Sequence, residues 1–231
     1  MEYIIQEIKI SIHTSPSVFT PSSHGSSALG GVIQVNEGES VIDIGTGTGL
    51  LAILAAKMGG KVSATDILPA AVDLTLVNAK ENEVEIHCKQ GKLFEPFPGE
   101  VFDVIIANVP QENLSPNIMQ QSCDDVVTGM HGGKNGNEIL LNTLDEARTF
   151  MHQRSRMYVV VYSMSNFRES LSVISDLYDA RMLHFYTGPV KDFVYEDRNW
   201  YEQQSQNGLV SVYNKGNEIF ADLYVLELTL R

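Results

Sequence analysis

The sequence predicts an α/β fold: a doubly wound, seven-stranded, mostly parallel sheet with an antiparallel strand at one edge. Two observations carry this prediction. From residue 40 onward, short apolar runs alternate with helical runs, which is typical of parallel βαβ units. The last two apolar runs are typical of an antiparallel hairpin added to the edge of such a sheet.

The apolar runs and the helical runs give the order of the elements. Strands are predicted at residues 40–44, 61–65, 84–89, 102–107, 157–162, 181–186 and 221–230. Helices are predicted at residues 50–58, 69–81, 137–150 and 167–178. Pro69 suits the first turn of the second helix.

Two segments depart from this regular alternation. Residues 1–35 predict an N-terminal appendage, with one or two half-buried strands, a turn-rich loop and a short helix capped by Ser26 or Ser27. The main domain then covers residues 36–231. Within it, residues 188–220 are too many for a tight hairpin and predict either a lid or a surface excursion.

Composition excludes several classes of protein. The 231 residues are enough for one α/β domain, and no apolar run is long enough to cross a bilayer. Sixteen basic against twenty-nine acidic residues give a net charge of −13, which disfavours nucleic acid as a partner. The first residues do not form a signal peptide, so a cytoplasmic location is expected.

Cysteine and histidine spacing gives no metal site. Cys88 and Cys123 are too far apart for a CxxC pair, and the six histidines have no ligand spacing. Neither a structural metal nor a disulfide framework is therefore expected.

A glycine-rich turn follows the first strand of the main domain. Asp43 ends that strand, and Gly45, Thr46, Gly47 and Gly49 follow it before a helix begins. Glycines let the backbone approach a ligand at the carboxyl edge of a sheet. The spacing is GxGxG, whereas dinucleotide sites have GxGxxG. A carboxylate before the loop favours a cationic ligand over a pyrophosphate.

The sequence DIGTGTG resembles the cofactor motif of class I S-adenosylmethionine-dependent methyltransferases, which have a Rossmann-like fold. The resemblance implies that Asp43 and the glycine loop border the methionine moiety. It also implies that Asp66, followed by Ile67, binds the ribose hydroxyls. Lys92 and Leu93 of GKLF would line the adenine, although related sequences often have Asp where Lys92 stands.

The fourth strand ends in the residues ANVPQ, which resemble the (N/D/S)PPY motif of PrmC/HemK-like glutamine methyltransferases. The resemblance implies that Asn108 and the carbonyl after it hold the acceptor NH2 group and that the Pro110 backbone helps to orient it. Asn108 is also a candidate cofactor contact. Here Val109 replaces a proline and Gln111 replaces an aromatic residue, so Gln111 is expected at the substrate.

Three further aromatic residues are candidate substrate contacts. Phe19 lies in VFTP, which resembles the substrate loop of the same family. Trp200 and Tyr201 lie within residues 188–220 and either close over a substrate or pack that segment onto the sheet.

The stretch HGGKNGNEILL resembles the GGxxG stretch that opens a helix in that family.

The combined interpretation is an S-adenosylmethionine-dependent methyltransferase that acts on a nitrogen or another polar atom. Only about seventeen residues precede the VFTP loop, which favours a small, amino-acid-like molecule over a large protein. Three alternatives stay open: a protein glutamine methyltransferase, a non-catalytic cofactor-binding module and, more remotely, an NAD-dependent oxidoreductase. The sequence leaves the oligomeric state open.

Overall fold

The central sheet of the protein is built by the alternating strands of the main domain. The computed structural model describes residues 1–21, 25–121 and 124–231. Residues 22–24 of the predicted substrate loop and Cys123 lie outside this part. The strands are β1 (Glu2–Ile5), β2 (Ile8–Ser11), β3 (Ser40–Ile44), β4 (Lys61–Asp66), β5 (Ile86–Gln90), β6 (Phe102–Ala107), β7 (Met151–Tyr162), β8 (Tyr178–Pro189), β9 (Val212–Lys215) and β10 (Glu218–Leu230).

The helices connect and cover these strands. They are α1 (Gly25–Gly30), α2 (Leu50–Lys57), α3 (Pro69–Glu81), α4 (Pro116–Gln121), α5 (Asp124–Met130), α6 (Glu138–Ala147), α7 (Phe167–Leu177), α8 (Asp192–Glu196) and α9 (Arg198–Gln206). A 3-10 turn, Arg148–Phe150, follows α6. None of the helices formed by the described residues is long and apolar enough to span a membrane.

The sheet has the strand order β5-β4-β3-β6-β7-β10-β8, and β9 pairs with β10 as an eighth strand. β10 runs antiparallel to both β7 and β8. The predicted doubly wound, mostly parallel sheet with an antiparallel hairpin at its edge is confirmed, with β8 as the outermost strand. The order in which strands are added to the sheet reverses between β3 and β6, which are parallel, and ligands of such sheets bind at the carboxyl ends of the strands there.

Both faces of the sheet are buried, because side chains alternate between two hydrophobic clusters. Val41 belongs to one cluster and Ile42 to the other, and the same alternation separates Val104 from Ile105. Helix α2 is buried in the first cluster and α6 in the second. This two-sided burial explains why the parallel strands are continuous apolar runs.

The N-terminal residues join the first cluster. Ile5, Ile10, Leu29 and Ile33 are buried there together with α2. The short helix was predicted with a serine cap, but α1 begins at Gly25 and both serines lie inside it. Residues 1–35 therefore share the core of the main domain.

The described elements differ from the predicted ones mainly where polar residues occupy strands. β7 begins six residues earlier than predicted, since the Ser155 hydroxyl donates to the Phe102 carbonyl at 2.6 Å across an irregular register. Helices α4 and α5 were not predicted. Residues 188–220 form α8, α9 and β9 and pack on the sheet through a third cluster that includes Val194 and Ile219.

Two buried asparagines, Asn78 on α3 and Asn82 directly after it, fasten the N-terminal hairpin to the main domain. Asn82 bonds both backbone groups of Ser11, and Asn78 bonds both backbone groups of His13. Asn78 also donates to the Thr48 carbonyl at 2.8 Å, within the glycine loop. One side chain thus joins the hairpin, α3 and the loop.

Asn78→Ala should lower the free energy of unfolding by about 2–4 kcal/mol, because it leaves several buried backbone groups without partners. Urea unfolding followed by circular dichroism measures this change. Asn199→Ala, at an exposed position of α9, is the matched control and should change the stability by less than about 0.5 kcal/mol. Equal stability of the two variants would contradict the fastening role.

Candidate active site

The glycine loop after β3 has a backbone that other residues do not readily adopt. Gly45, Gly47 and Gly49 have φ values of +68°, +59° and +82°. A Cβ atom on Gly49 would lie 2.9 Å from the side chain of Thr75. The amides of Gly45 and Thr46 both donate to the Thr65 carbonyl, at 2.9 and 3.0 Å. The loop therefore turns tightly around the carboxyl end of β4.

Asp43 is buried at the end of β3, with 2% of its surface exposed. The Thr46 hydroxyl donates to its Oδ2 at 2.7 Å. Burial raises the pKa of Asp43 to about 7, against the opposing effect of the Thr46 hydrogen bond, and the nearby Asp66 carboxylate raises it further. The site therefore contains a carboxylate that a cationic ligand would stabilise.

Asp66 ends β4 and holds two parts of the site together. Its Oδ2 accepts a hydrogen bond from the Gly47 amide at 2.8 Å, and its Oδ1 accepts one from the Leu68 amide at 3.0 Å. Burial raises its pKa, while the hydrogen bonds with Leu68 and Gly47 oppose the shift. Asp66 thus fixes the glycine loop relative to the start of α3.

A cavity of about 220 Å³ lies at these strand ends. It is lined by most of the predicted cofactor residues: Asp43, Gly45, Thr46, Gly47, Asp66, Ile67, Lys92, Leu93 and Asn108. Gly49 does not line it, because this glycine faces Thr75 of α3. Gly49 therefore serves the packing of the loop rather than contact with a ligand.

A second cavity of about 130 Å³ adjoins the first. The two share Phe19, Asn108, Val109, Pro110 and Gly129 as a common wall. The Asn108 side-chain amide donates from Nδ2 to the Ser26 hydroxyl at 3.1 Å. This contact orients the amide and leaves Oδ1 as the group that can accept a hydrogen from a ligand.

Gln111 lines the second cavity, but its polar atoms are engaged elsewhere. Nε2 donates to the Val160 carbonyl at 2.7 Å, and Oε1 accepts from the Tyr162 amide at 3.2 Å. Gln111 therefore lines the second cavity while its amide bridges to the backbone of β7, and its contact with a substrate stays a prediction.

Trp200 and Tyr201 are also placed differently from the prediction. Neither is among the residues that line the two cavities. Tyr201 is 1% exposed in the third hydrophobic cluster, and Trp200 packs edge-on against it at 4.8 Å. This placement supports the packing interpretation of these aromatics, and their contact with a substrate stays a prediction. Residues 188–220 contribute Lys191 to the second cavity instead.

Several lining residues of the second cavity were missed by the sequence analysis: Glu112, Tyr162, Tyr186 and Lys191. Glu112 directly follows the ANVPQ stretch, so its place at the strand end was an available signal. No local signal marks Lys191, which is 79 residues away from Glu112 along the chain. Among the described residues, no group of three or more acidic, histidine or cysteine side chains could hold a metal ion.

The glycine stretch at 132–136 packs against the segment after β6. A Cβ atom on Gly132 would lie 2.8 Å from the Cα atom of Gln111, and one on Gly136 would lie 2.7 Å from the amide of Asn113. Gly136 also has φ +74°, which favours glycine. These glycines therefore let residues 111–113 lie directly beside the second cavity.

This fold and these strand-end cavities define an α/β enzyme class that binds a nucleoside-containing cofactor at a topological switch point. The family model for ribosomal protein L11 methyltransferase (PrmA) matches residues 27–132. The "Putative protein N5-glutamine methyltransferase" of Methanocaldococcus jannaschii is 32% identical over 75% of this chain and 85% of its own length. The chain belongs to the class I S-adenosylmethionine-dependent methyltransferases.

Other similarities agree with this family. The ribosomal protein L11 methyltransferase of Dictyoglomus turgidum is 33% identical, over 49% of this chain and 39% of its own length. The solved Thermus thermophilus 16S rRNA N2 G1207 methyltransferase, in complex with AdoMet and guanosine, has a TM-score of 0.62 and 15% identity. The structural match covers 100% of this chain and 50% of the Thermus thermophilus chain. At that identity the likeness concerns the fold alone.

The cofactor of this enzyme is S-adenosylmethionine, and the first cavity suits its chemistry. Gly45 and Gly47, both with positive φ, bring the loop backbone to the cavity. The carboxylates of the buried Asp43 and the half-buried Asp66 would face the ammonium and sulfonium charges and the ribose hydroxyls. We propose that the remaining lining residues named above bind the rest of the cofactor.

Asp66→Ala should weaken the binding of S-adenosylmethionine by at least about tenfold, because hydrogen bonds to a charged group are lost. Isothermal titration calorimetry measures this affinity. Asp73→Ala, at an exposed position of α3, is the matched control and should leave the affinity unchanged. Equal affinity in Asp66→Ala and the wild type would exclude Asp66 as a cofactor residue.

The affinity for S-adenosylmethionine should fall as the pH is lowered through 7. A cationic ligand favours the ionised form of Asp43, whose pKa is raised to about 7, so binding below this pH releases a proton. Because one proton is released, the affinity can fall by at most about tenfold for each pH unit below the pKa. Calorimetry between pH 6 and 8 measures how the affinity depends on pH. In Asp43→Asn the affinity should not change over this range. An unchanged dependence in that variant would contradict the assignment to Asp43.

Proposed function

We propose that the chain transfers a methyl group from S-adenosylmethionine to the side-chain amide nitrogen of glutamine in a protein. The observation that carries this proposal is the wall shared by the two cavities, formed by Asn108, Val109 and Pro110. An acceptor group that is bound in the second cavity and contacts this wall therefore lies next to the first cavity.

Asn108 is the candidate catalytic residue, because it can orient the nitrogen that receives the methyl group. Its Oδ1 and the Val109 carbonyl would accept the two hydrogens of an NH2 group, as the resemblance to the (N/D/S)PPY motif implies. Pro110 restricts the backbone beside them. Methyl transfer gains mainly from positioning, and two acceptors on one NH2 group fix its orientation.

The bound cofactor supplies an electrophilic methyl group on a positively charged sulfur. In such a transfer the acceptor nitrogen would gain the methyl group as the carbon–sulfur bond breaks, and it would release one proton to solvent. The Ser26 hydroxyl holds the Asn108 amide by accepting its Nδ2 hydrogen. We propose that Ser26 acts as a positioning residue and does not touch the acceptor.

The relatives favour a protein acceptor over the small molecule expected from the sequence. The similar proteins from Methanocaldococcus jannaschii and Dictyoglomus turgidum have names that describe protein methyltransferases. Labelled S-adenosylmethionine incubated with a cell lysate separates the two acceptors. Label in a protein band, located on glutamine by mass spectrometry, is the expected result. Label confined to the small-molecule fraction would support an amino-acid-like acceptor and overturn the proposal.

Asn108→Ala should reduce methyl transfer by roughly a hundredfold, because a misplaced acceptor loses most of the positioning effect. Transfer to the labelled protein band measures the rate. The affinity for S-adenosylhomocysteine should change by less than about threefold, since the main carboxylate contacts remain. Ser26→Ala should have a smaller effect in the same direction. Asn199→Ala is the surface control, and a wild-type rate in Asn108→Ala would contradict the role of Asn108.

A further inference from the structure

Lys191 brings a positive charge to the second cavity, and no step of the proposed methyl transfer uses it. Among the lining residues that the structure describes, it is the only one with a cationic side chain. Its backbone is held on both sides. The Val190 amide donates to the Ile219 carbonyl at 2.9 Å, and the Val194 amide donates to the Lys191 carbonyl at 3.0 Å. The side chain of Lys191 therefore starts from a fixed position.

Two other lining residues fix the ammonium group at the end of this side chain. Nζ forms an ion pair with Oε1 of Glu112, and it lies 4.5 Å from the centre of the Phe19 ring. Phe19 belongs to the wall that the two cavities share, as Asn108 does. The ammonium group therefore lies beside the wall at which a bound acceptor would meet the cofactor.

The ammonium group has hydrogen-bond donors that the protein does not use. An ammonium has three N–H donors. Within residues 1–21, 25–121 and 124–231, Glu112 is its only hydrogen-bond acceptor, since the Phe19 ring contributes a cation–π contact. The side chain of Lys191 is 37% exposed, whereas that of Glu112 is 9% exposed. Lys191 is therefore the member of the ion pair that a ligand can reach.

Charge restricts which ligand group these donors would bind. Glu112 already balances the charge of Lys191, so a ligand carboxylate would place a second negative charge beside a buried one. A protonated amine would meet the ammonium charge and offers no lone pair. A neutral carbonyl oxygen accepts the hydrogen bond without changing the net charge of the site.

We infer that Lys191 donates a hydrogen bond to the carbonyl oxygen of the acceptor carboxamide. This inference rests on the proposed function. Asn108 and the Val109 carbonyl would hold the NH2 hydrogens of that group, and Lys191 would hold its oxygen, so that three contacts fix the plane of the amide. Lys191 then determines specificity, because it favours an acceptor with an oxygen beside the nitrogen over an amine.

Two neutral probes with a common backbone test this contact. N-acetyl-glutamine N-methylamide carries the side-chain carboxamide, whereas N-acetyl-norvaline N-methylamide carries neither its oxygen nor its nitrogen. Their dissociation constants are measured by NMR titration of the full chain saturated with S-adenosylhomocysteine. Glu112→Gln is compared with the double variant Glu112→Gln, Lys191→Met, because neither leaves a buried carboxylate without its counter-ion. Arg198→Met, Glu202→Met, which removes an exposed ion pair, is the surface control.

The double variant should bind the glutamine probe at least about tenfold more weakly than Glu112→Gln does, because a hydrogen bond from a charged donor is lost. The affinity for the norvaline probe should be the same in these two variants, and the surface control should bind both probes as the wild type does. Retained affinity for S-adenosylhomocysteine establishes that each variant is folded. If the double variant does not fold, the NMR signal of the Lys191 ammonium in the wild type provides the comparison. It should shift with the glutamine probe and stay unchanged with the norvaline probe.

The competing donors are the hydroxyls of Tyr162 and Tyr186, since both residues line the same cavity. Weaker binding of the glutamine probe in Tyr162→Phe or Tyr186→Phe, with no weakening in the double variant, would overturn the inference. Equal weakening of both probes in the double variant would do the same. So would tighter wild-type binding of N-acetyl-glutamate N-methylamide than of the glutamine probe.

Transfer rates separate this inference from the proposed function. If the glutamine probe binds through Lys191 but no glutamine is methylated, in the probe or in lysate protein, the carboxamide contact stands and the proposed function fails. If the probe is methylated with the same KM by Glu112→Gln and by the double variant, the function stands and the inference fails.

Discussion

The close approach between the glycine loop and helix α3 is the constraint on which the rest of the site depends. Side chains of α3 donate hydrogen bonds to the carbonyl groups of the loop. The Thr75 hydroxyl donates to the Gly47 carbonyl, and the Asn78 amide donates to the Thr48 carbonyl. The missing side chain of Gly49 makes room for Thr75. Since these loop carbonyls accept hydrogen bonds from α3, the amide of Gly47 can face the opposite side, where it donates to the Asp66 carboxylate.

This geometry also creates the electrostatic character of the cofactor cavity. Burial raises the pKa values of Asp43 and Asp66, and the nearby Asp66 carboxylate raises that of Asp43 further, so the ionised form of Asp43 is unfavourable without a partner. A ligand that carries positive charge and hydroxyl donors removes this cost.

The sequence predicts those features whose causes are local. The glycine spacing, Asp43 and Asp66 lie at strand ends, so a correct βαβ pattern places them at one sheet edge. The acceptor cavity was less predictable, because its residues meet only through tertiary contacts. Lys191 reaches Glu112 from a separate segment, and Gln111 turns toward β7 because the backbone groups of Val160 and Tyr162 there require partners. Aromatic residues such as Tyr201 left two interpretations open, because residues 188–220 need a core of their own as much as a substrate needs a cover.

The inserted segment, residues 188–220, and the end of β6 together determine how the acceptor is held. The third cluster anchors α8 and α9 on the sheet, and this anchoring places Lys191 over Phe19 and beside Glu112. β6 pairs in register with β3, with Ala107 opposite Ile44, so Asn108 directly follows a strand whose neighbour leads into the glycine loop. One pair of parallel strands therefore sets the distance between the cofactor cavity and the acceptor cavity, and a shift in their register would separate the two reacting groups.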